Sequence, residues 1–498
     1  MDFLNTKDLI TLNLGNKATL VNRIREEVLD TTICSKELIN EIQDWRVSDE
    51  HSFSDHRYIR FKILRPPPKP IKFRNKSKTN WTMFGTLLKN RLGQDTFQCR
   101  NKEDIDAKVE TFTSALVESF EDSCPLRERR SAQEKPWVTG EIRNLGKTLR
   151  KLFNRARRKK TAVYWDEYRN KLGEYKKIVR KAKRDSWKLF CEQVDSVNDV
   201  SKIKKFLSKT HVQPESMIDD TGRRLEDMEE TMKLLMDSHF PPGISNNIDE
   251  PILEEGEGNT EIVITTDMVK GAIKSFAPYK AAGPDGIFPA LLQMEAGLVS
   301  VHLSQIFTAC LKLAYTPVKW QDARVIFIPK PGKPSYATPK SYRPISLTSF
   351  LLKTLERIVD SMVKSSIPYN DLKYKQHAYV KGRSVETALN EVVHYISESF
   401  DSKLYTLAVC IDIEGAFNNV HTDTLIQSLD QFYVDRVLRN WINYMLRNRW
   451  ISCEMYDITI RKKVFRGILL GGILSLLLWV ITINSLLRTL NEKALRPV

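Results

Sequence analysis

The sequence predicts a multidomain chain of α+β class, and three observations carry that reading. A strand-like stretch, Tyr58 to Leu64, is followed by Pro66-Pro67-Pro68-Lys69-Pro70, and a proline run excludes helix and central strand, so a domain ends there. From residue 71 to about residue 260, apolar residues recur mostly at helical spacing. From Glu261 onward, strand-like apolar runs alternate with helical ones. A chain of 498 residues has room for roughly two to four domains, and a hydrophobic content of 41% supplies their cores.

The elements follow in order. Trp81 to Arg91 and Ile105 to Phe120 read as amphipathic helices. From residue 141 to about residue 195, Leu149, Phe153, Trp165, Tyr168, Leu172 and Tyr175 recur among Lys and Arg, which predicts long basic helices with an aromatic stripe. Pro241 to Asn259 has the composition of a linker. Thr265-Thr266-Asp267 caps a helix that runs to Phe276. Ala323 to Pro329 is a strand, and Lys330-Pro331-Gly332-Lys333-Pro334 is a tight basic turn after it. Helices follow from about Ser349 to Ser366 and from Val385 to Phe400. The apolar run Leu404 to Ile411 predicts a buried strand with Asp412 at its tip, closed by the turn Glu414-Gly415 and followed by Phe417 and Asn418. A carboxylate fixed at a strand end beside a backbone carbonyl is what two-metal phosphoryl transfer requires.

The net charge is +16 and the pI about 9.3. Residues 127–188 hold 22 Lys and Arg against 7 Asp and Glu, an excess of 15 that is nearly the whole surplus. Such a segment suits polyanions, and a grip on the phosphate backbone of nucleic acid is the reading it favours over a solvated helical hairpin. The seven cysteines, at positions 34, 99, 124, 191, 310, 410 and 453, show neither metal-ligand spacing nor a disulfide framework. The N-terminus lacks the regions of a signal peptide. Nucleus or cytoplasm is therefore the expected compartment, not secretion. Gly467 to Leu487 is 21 residues without a charge, long enough to span a bilayer. It also contains Gly471-Gly472, Ser475, Thr482, Asn484 and Ser485, so no membrane partner is expected.

The ordered series in the C-terminal half carries a resemblance. It comprises Gly283-Pro284-Asp285-Gly286-Ile287, the strand into Lys330-Pro331-Gly332-Lys333, and Ser341-Tyr342-Arg343-Pro344-Ile345-Ser346-Leu347. Gln376-His377-Ala378-Tyr379-Val380-Lys381-Gly382-Arg383-Ser384, the Asp412 stretch, and Arg466-Gly467 to Ser475 complete it. In this order they resemble the reverse transcriptases of non-LTR (LINE-type) retrotransposons, close to those of insect elements, over about residues 260–498. The resemblance implies fingers and a partial palm, with helices packed on an antiparallel sheet. It implies an RNA template, a DNA primer or target, deoxynucleotide triphosphates and Mg2+. Lys330 and Arg343 match the cations that hold the triphosphate, and Asp412 matches the first metal-binding aspartate. Phe417 matches the ring that rejects a ribose 2′-hydroxyl, and Gly471 belongs to the nucleotide-binding turn. Asp49 to Arg57 resembles the end of an apurinic-type endonuclease domain, with His56 matching the catalytic histidine and Asp55 its adjacent acid. Val28-Leu29-Asp30 and Trp45-Arg46-Val47 also match that style. The implied domains are an endonuclease/exonuclease/phosphatase sandwich remnant (1–64), a basic helical connector and linker (65–260), and a reverse transcriptase domain (261–498).

The departures set the expected activity. Leu469 and Leu470 replace the family's proline and glutamine, Leu476 its later proline, and Val480 its asparagine. No Tyr/Phe-Ala-Asp-Asp motif occurs in residues 405–498, and one aspartate does not assemble two metals. The sequence thus predicts a truncated reverse-transcriptase-family chain that neither polymerises DNA nor holds Mg2+ productively, with an endonuclease remnant that does not cut. The alternatives are a non-catalytic nucleic-acid-binding protein acting through residues 127–188 and, third, a protein anchored by 467–487.

Overall fold

The structure is a computed structural model. It describes residues 9–492 except 22–23, 53, 65–71, 94–98, 129–134, 136, 193–216, 220, 226, 242–261, 369–375, 414 and 456–457. The proline run 66–70, most of the 241–259 linker and Glu414 lie outside the described residues. Helix and sheet are mixed throughout. The chain divides into two compact units, Met1–Phe73 with Arg127–Thr210, and Arg74–Leu126 with His211–Val498. The interval 65–260 is thus shared between them.

The first unit begins with six short strands. β1 (Leu9–Thr11) pairs antiparallel with β4 (Ile33–Ser35), β2 (Leu20–Val21) with β3 (Glu26–Glu27), and β5 (Ile42–Val47) with β6 (Ile59–Ile63). The basic region adds a helical hairpin. In chain order, helices α1 (Trp81–Leu92) and α2 (Lys102–Ser123) belong to the second unit, and α3 (Gly140–Lys159) and α4 (Ala162–Glu192) form the hairpin. Lys160 turns the chain between α3 and α4 in the left-handed region, at φ 53°. Leu149, Phe153, Ala156, Trp165 and Tyr168 are buried between these helices, so the aromatic stripe is the hairpin's own core.

His51 enters that core from the strand region. Its ring stands 4.5 Å from Phe153, and its Nε2 lies 2.9 Å from the Tyr168 hydroxyl. Burial, then the charge of Arg150, lowers its pKa to about 4, so the ring is neutral at pH 7. Asp49 adds an ion pair to Arg157 at 2.8 Å. Tyr168→Phe removes the hydroxyl from a buried pair and is expected to cost about 1–2 kcal/mol. The effect is read as weaker amide-exchange protection across α3 and α4.

The second unit holds one large core. Phe84 and Leu88 of α1 and Phe112 and Leu116 of α2 share it with Phe288, Leu303 and Phe307. Asp106 fastens α2 by accepting hydrogen bonds from the Tyr315 hydroxyl at 2.5 Å and the Val318 amide at 3.0 Å. Further along run α5 (Met228–His239), α6 (Thr266–Lys274), capped by Thr265, and α7 (Ala296–Lys312). Next come α8 (Phe350–Ser366), α9 (Val385–Asp401), α10 (Thr422–Gln431), α11 (Arg436–Arg447) and α12 (Leu474–Glu492).

A four-stranded sheet runs in the order β8-β7-β9-β10, with β7 Asp322–Pro329, β8 Tyr342–Leu347, β9 Arg449–Met455 and β10 Ile458–Val464. The antiparallel sheet implied by the resemblance is corrected here. Two antiparallel hairpins are joined by a parallel pairing of β7 with β9, through Trp450 opposite Asp322. Parallel neighbours need a crossover, and the helices between residues 330 and 448 supply it.

The buried strand expected at 404–411 is corrected as well. Residues 404–413 form no strand and are exposed, Leu407 at 89% and Ile411 at 77%. A strand persists only where a neighbour satisfies its amides and carbonyls, and no described strand pairs with this segment. No helix of the described residues is long and apolar enough to cross a membrane. Within 467–487, α12 is amphipathic in use, burying Leu474, Leu477, Leu478 and Ile481 against the core.

Candidate nucleotide and template site

Strands β7 and β8 form a hairpin whose rim carries two of the predicted cations. Arg343 is exposed and stands opposite Ile328; Lys330 follows β7 directly. The Lys330 amide donates to the Ser341 carbonyl at 2.8 Å, and its Nζ donates to the Lys340 carbonyl at 2.8 Å. Burial, then the charges of Lys333 and Arg343, pulls the Lys330 pKa below its usual value. Crowded cations on a hairpin tip form an anion-seeking rim.

The turn 467–473 crosses behind this hairpin. The Ser346 amide donates to the Leu470 carbonyl at 2.8 Å. Gly471 has φ +129°, and a Cβ there would collide with the Ser346 carbonyl oxygen, so the close approach requires glycine. On the other side, the Gly467 amide donates to Val420 at 2.7 Å and the Ile468 amide to Phe417 at 2.6 Å. This places Phe417, in the short helix Ala416–Asn419, half-buried with its ring 5.3 Å from Trp479 and 6.1 Å, edge-on, from Tyr379.

The remaining motifs act as anchors. Gln376 donates to the Val480 carbonyl at 2.9 Å, and His377 contacts Thr387 at 2.8 Å and Glu391 at 3.1 Å, so their segment is fixed to α12 and α9. Asp285 is half-buried and accepts from the Ser349 hydroxyl at 2.5 Å, and desolvation raises its pKa. Gly283 is pressed against the Thr348 and Ser349 backbone, 2.7 Å from where a Cβ would stand.

The hairpin, the 467–473 turn and Phe417 therefore form one connected set, which brings Lys330, Arg343, Gly471 and Phe417 onto a common frame. Asp412 lies outside it, exposed in the extended segment. Asp55 and His56 are in the other unit, where His56 Nδ1 meets Asp30 Oδ2 at 2.8 Å. Asp30, held below its usual pKa first by that hydrogen bond, is the acid on His56; the Asp55 backbone carbonyl accepts from Val21. Two residues that hold the frame carry no motif signal. Glu356 of α8 accepts from the Ile473 amide at 2.6 Å. Arg449 of β9, also buried, donates to the Gly467 and Leu446 carbonyls, each at 2.7 Å.

Residues 328–496 match the family described as Reverse transcriptase (RNA-dependent DNA polymerase). The chain is 23% identical, over 90% of its length, to the Retrovirus-related Pol polyprotein from type-1 retrotransposable element R1 of Bradysia coprophila, covering 46% of that protein. It is 26% identical, again over 90% of its length, to the Putative 115 kDa protein in type-1 retrotransposable element R1DM of Drosophila melanogaster, covering 44% of it. A shorter match, 30% identical over 43% of the chain and 24% of the relative, is to the Probable RNA-directed DNA polymerase from transposon BS of Drosophila melanogaster. Residues 328–496 carry a reverse-transcriptase-family domain, and the chain as a whole is similar to proteins of insect non-LTR retrotransposons. It spans less than half the length of each of these relatives. The family match begins inside β7 and takes in Lys330, Arg343, Phe417 and the 467–473 turn.

Proposed function

We propose that this chain carries the nucleotide- and template-binding half of an RNA-directed DNA polymerase centre. The observation that carries the reading is the frame itself: the cationic hairpin rim, the 467–473 turn and the Phe417 ring are tied together by backbone hydrogen bonds. Arg343 offers a planar fork to phosphate oxygens and Lys330 a point charge. The contacts of Phe417 with Trp479 and Tyr379 support the reading that its ring excludes a ribose 2′-hydroxyl. The His56–Asp30 pair supports an endonuclease origin for the strands of the first unit.

The residues present do not fit the two Mg2+ of the family's chemistry. Among the described residues, no group of three His, Cys, Asp or Glu is placed to hold a metal ion, and Asp412 stands alone in an exposed segment. Two metals about 4 Å apart need several bridging oxygens. This polypeptide is expected to bind primer and template without extending the primer. A primer-extension assay with magnesium or manganese checks this. The expected result is no product; template-dependent product that disappears in Asp412→Asn would overturn it.

A further inference from the structure

We propose that the open end of the α3–α4 hairpin is a second, sequence-independent nucleic-acid site, gripping phosphates along one face of α4. Toward the turn end of the hairpin four cations are matched by acids, while Arg158, Lys159 and Lys160 at the turn itself are exposed without a carboxylate partner among the described residues. Arg155 pairs with Glu167, Arg157 with Asp49, Arg169 with Asp166 at 3.7 Å, and Lys171 with Glu174 at 2.6 Å. Past Glu174 the matching stops. Lys176, Lys177, Arg180, Lys181, Lys183 and Arg184 are all exposed, and no acid occurs before Asp185. Lys183 lies 4.8 Å over the Trp137 ring; the other five form no ion pair among the described residues.

Geometry makes these five a stripe. Lys176, Arg180 and Arg184 recur every four residues, with Lys177 and Lys181 beside them. At 1.5 Å rise per residue the stripe runs about 12 Å, the axial length of three to four phosphates on one strand of a duplex. Like charges four apart on a helix repel one another, and a polyanion relieves that repulsion. The apolar side of α4 is already used against α3, and His51 packs into the same core, so the stripe faces outward from a braced helix. This site is independent of the polymerase reading, since none of its residues belongs to the second unit.

The test uses the full chain and its variant K176Q/K177Q/R180Q/K181Q/R184Q, glutamine being a good helix former. Binding to a scrambled 30-base-pair DNA and to a scrambled 30-nucleotide RNA is measured by anisotropy across a salt series. On duplex, neutralising five contacts is expected to flatten the slope of log K against log salt by about 4, with affinity at low salt falling more than tenfold. On the single-stranded RNA the same five neutralisations are expected to flatten the slope by about 3.5. Lys270→Gln, on the other unit and outside the 330–343 rim, is expected to leave that slope nearly unchanged. Unchanged slopes in the quintuple variant, with helicity retained by circular dichroism, would overturn the proposal. So would displacement by polyglutamate as effective as by nucleic acid at equal charge.

Discussion

Gly467→Ala is expected to destabilise the second unit by about 4 kcal/mol, combining an unfavourable positive φ with overpacking against fixed backbone. Gly467 sits at φ +83°, and a Cβ would press on the Asn418 carbonyl, 2.7 Å from its carbon. The neighbour cannot give way, because the flanking hydrogen bonds, Gly467 to Val420 and Ile468 to Phe417, hold the two segments together. Gly332→Ala is the matched control: its φ is +75°, yet nothing lies within 4 Å of the added carbon. The control is expected to lose only about 1–2 kcal/mol. Urea unfolding followed by tryptophan fluorescence, with Trp479 reporting on Phe417, reads both. Equal midpoints for the two variants would show that close approach to Asn418 contributes nothing.

That contrast bears on what the sequence makes legible. Strand β7 and helices α1, α2, α6, α8 and α9 announce themselves through local pattern, because apolar periodicity and turn chemistry act between near neighbours. Lys330, Arg343 and Phe417 are singled out by resemblance alone. Residues whose meaning depends on distant partners give no such signal. Glu356 reads as one more polar position on an amphipathic helix, yet it binds an amide 117 residues away. His51 reads as a histidine beside an Asp-His pair, yet its partner Tyr168 also lies 117 residues on. Asp412 shows the converse. Its apolar run has strand composition, but strand formation is a property of a pair, and composition says nothing of whether the neighbour is there. The basic hairpin shows the same limit within one element: the sequence locates the charge excess, while only the fold separates the paired cations from the free stripe.

Buried Glu356 makes the second unit lose stability as pH rises from about 4.5 to about 7. Burial pushes its pKa up to about 7, against 4.5 for an ordinary glutamate, despite the opposing pull of the Ile473 amide, Lys353 and Arg449. Over that interval the unfolded chain releases this proton while the folded chain keeps it, so the unfolded state gains. A shift of this size corresponds to about 3 kcal/mol, present below pH 4.5 and gone above pH 7. Glu356→Gln keeps an oxygen for the Ile473 amide and removes the titration, so its stability is expected to be flat over the same range and to exceed the native chain's at pH 8. Arg449, whose own pKa burial lowers to about 10, stays charged throughout and keeps its two carbonyl partners. His51 works in the opposite sense in the first unit. Its pKa is depressed to about 4, so its contribution is present above pH 6.5 and is lost as pH falls toward 4. Amide exchange at pH 5 and pH 8, corrected for intrinsic rates, separates the two. Protection along α8 and the 467–473 turn is expected to be greater at pH 5, and protection along α3 and α4 greater at pH 8. Glu356→Gln should abolish only the first difference, and a native chain with pH-independent protection in α8 would sink the assignment of a neutral Glu356.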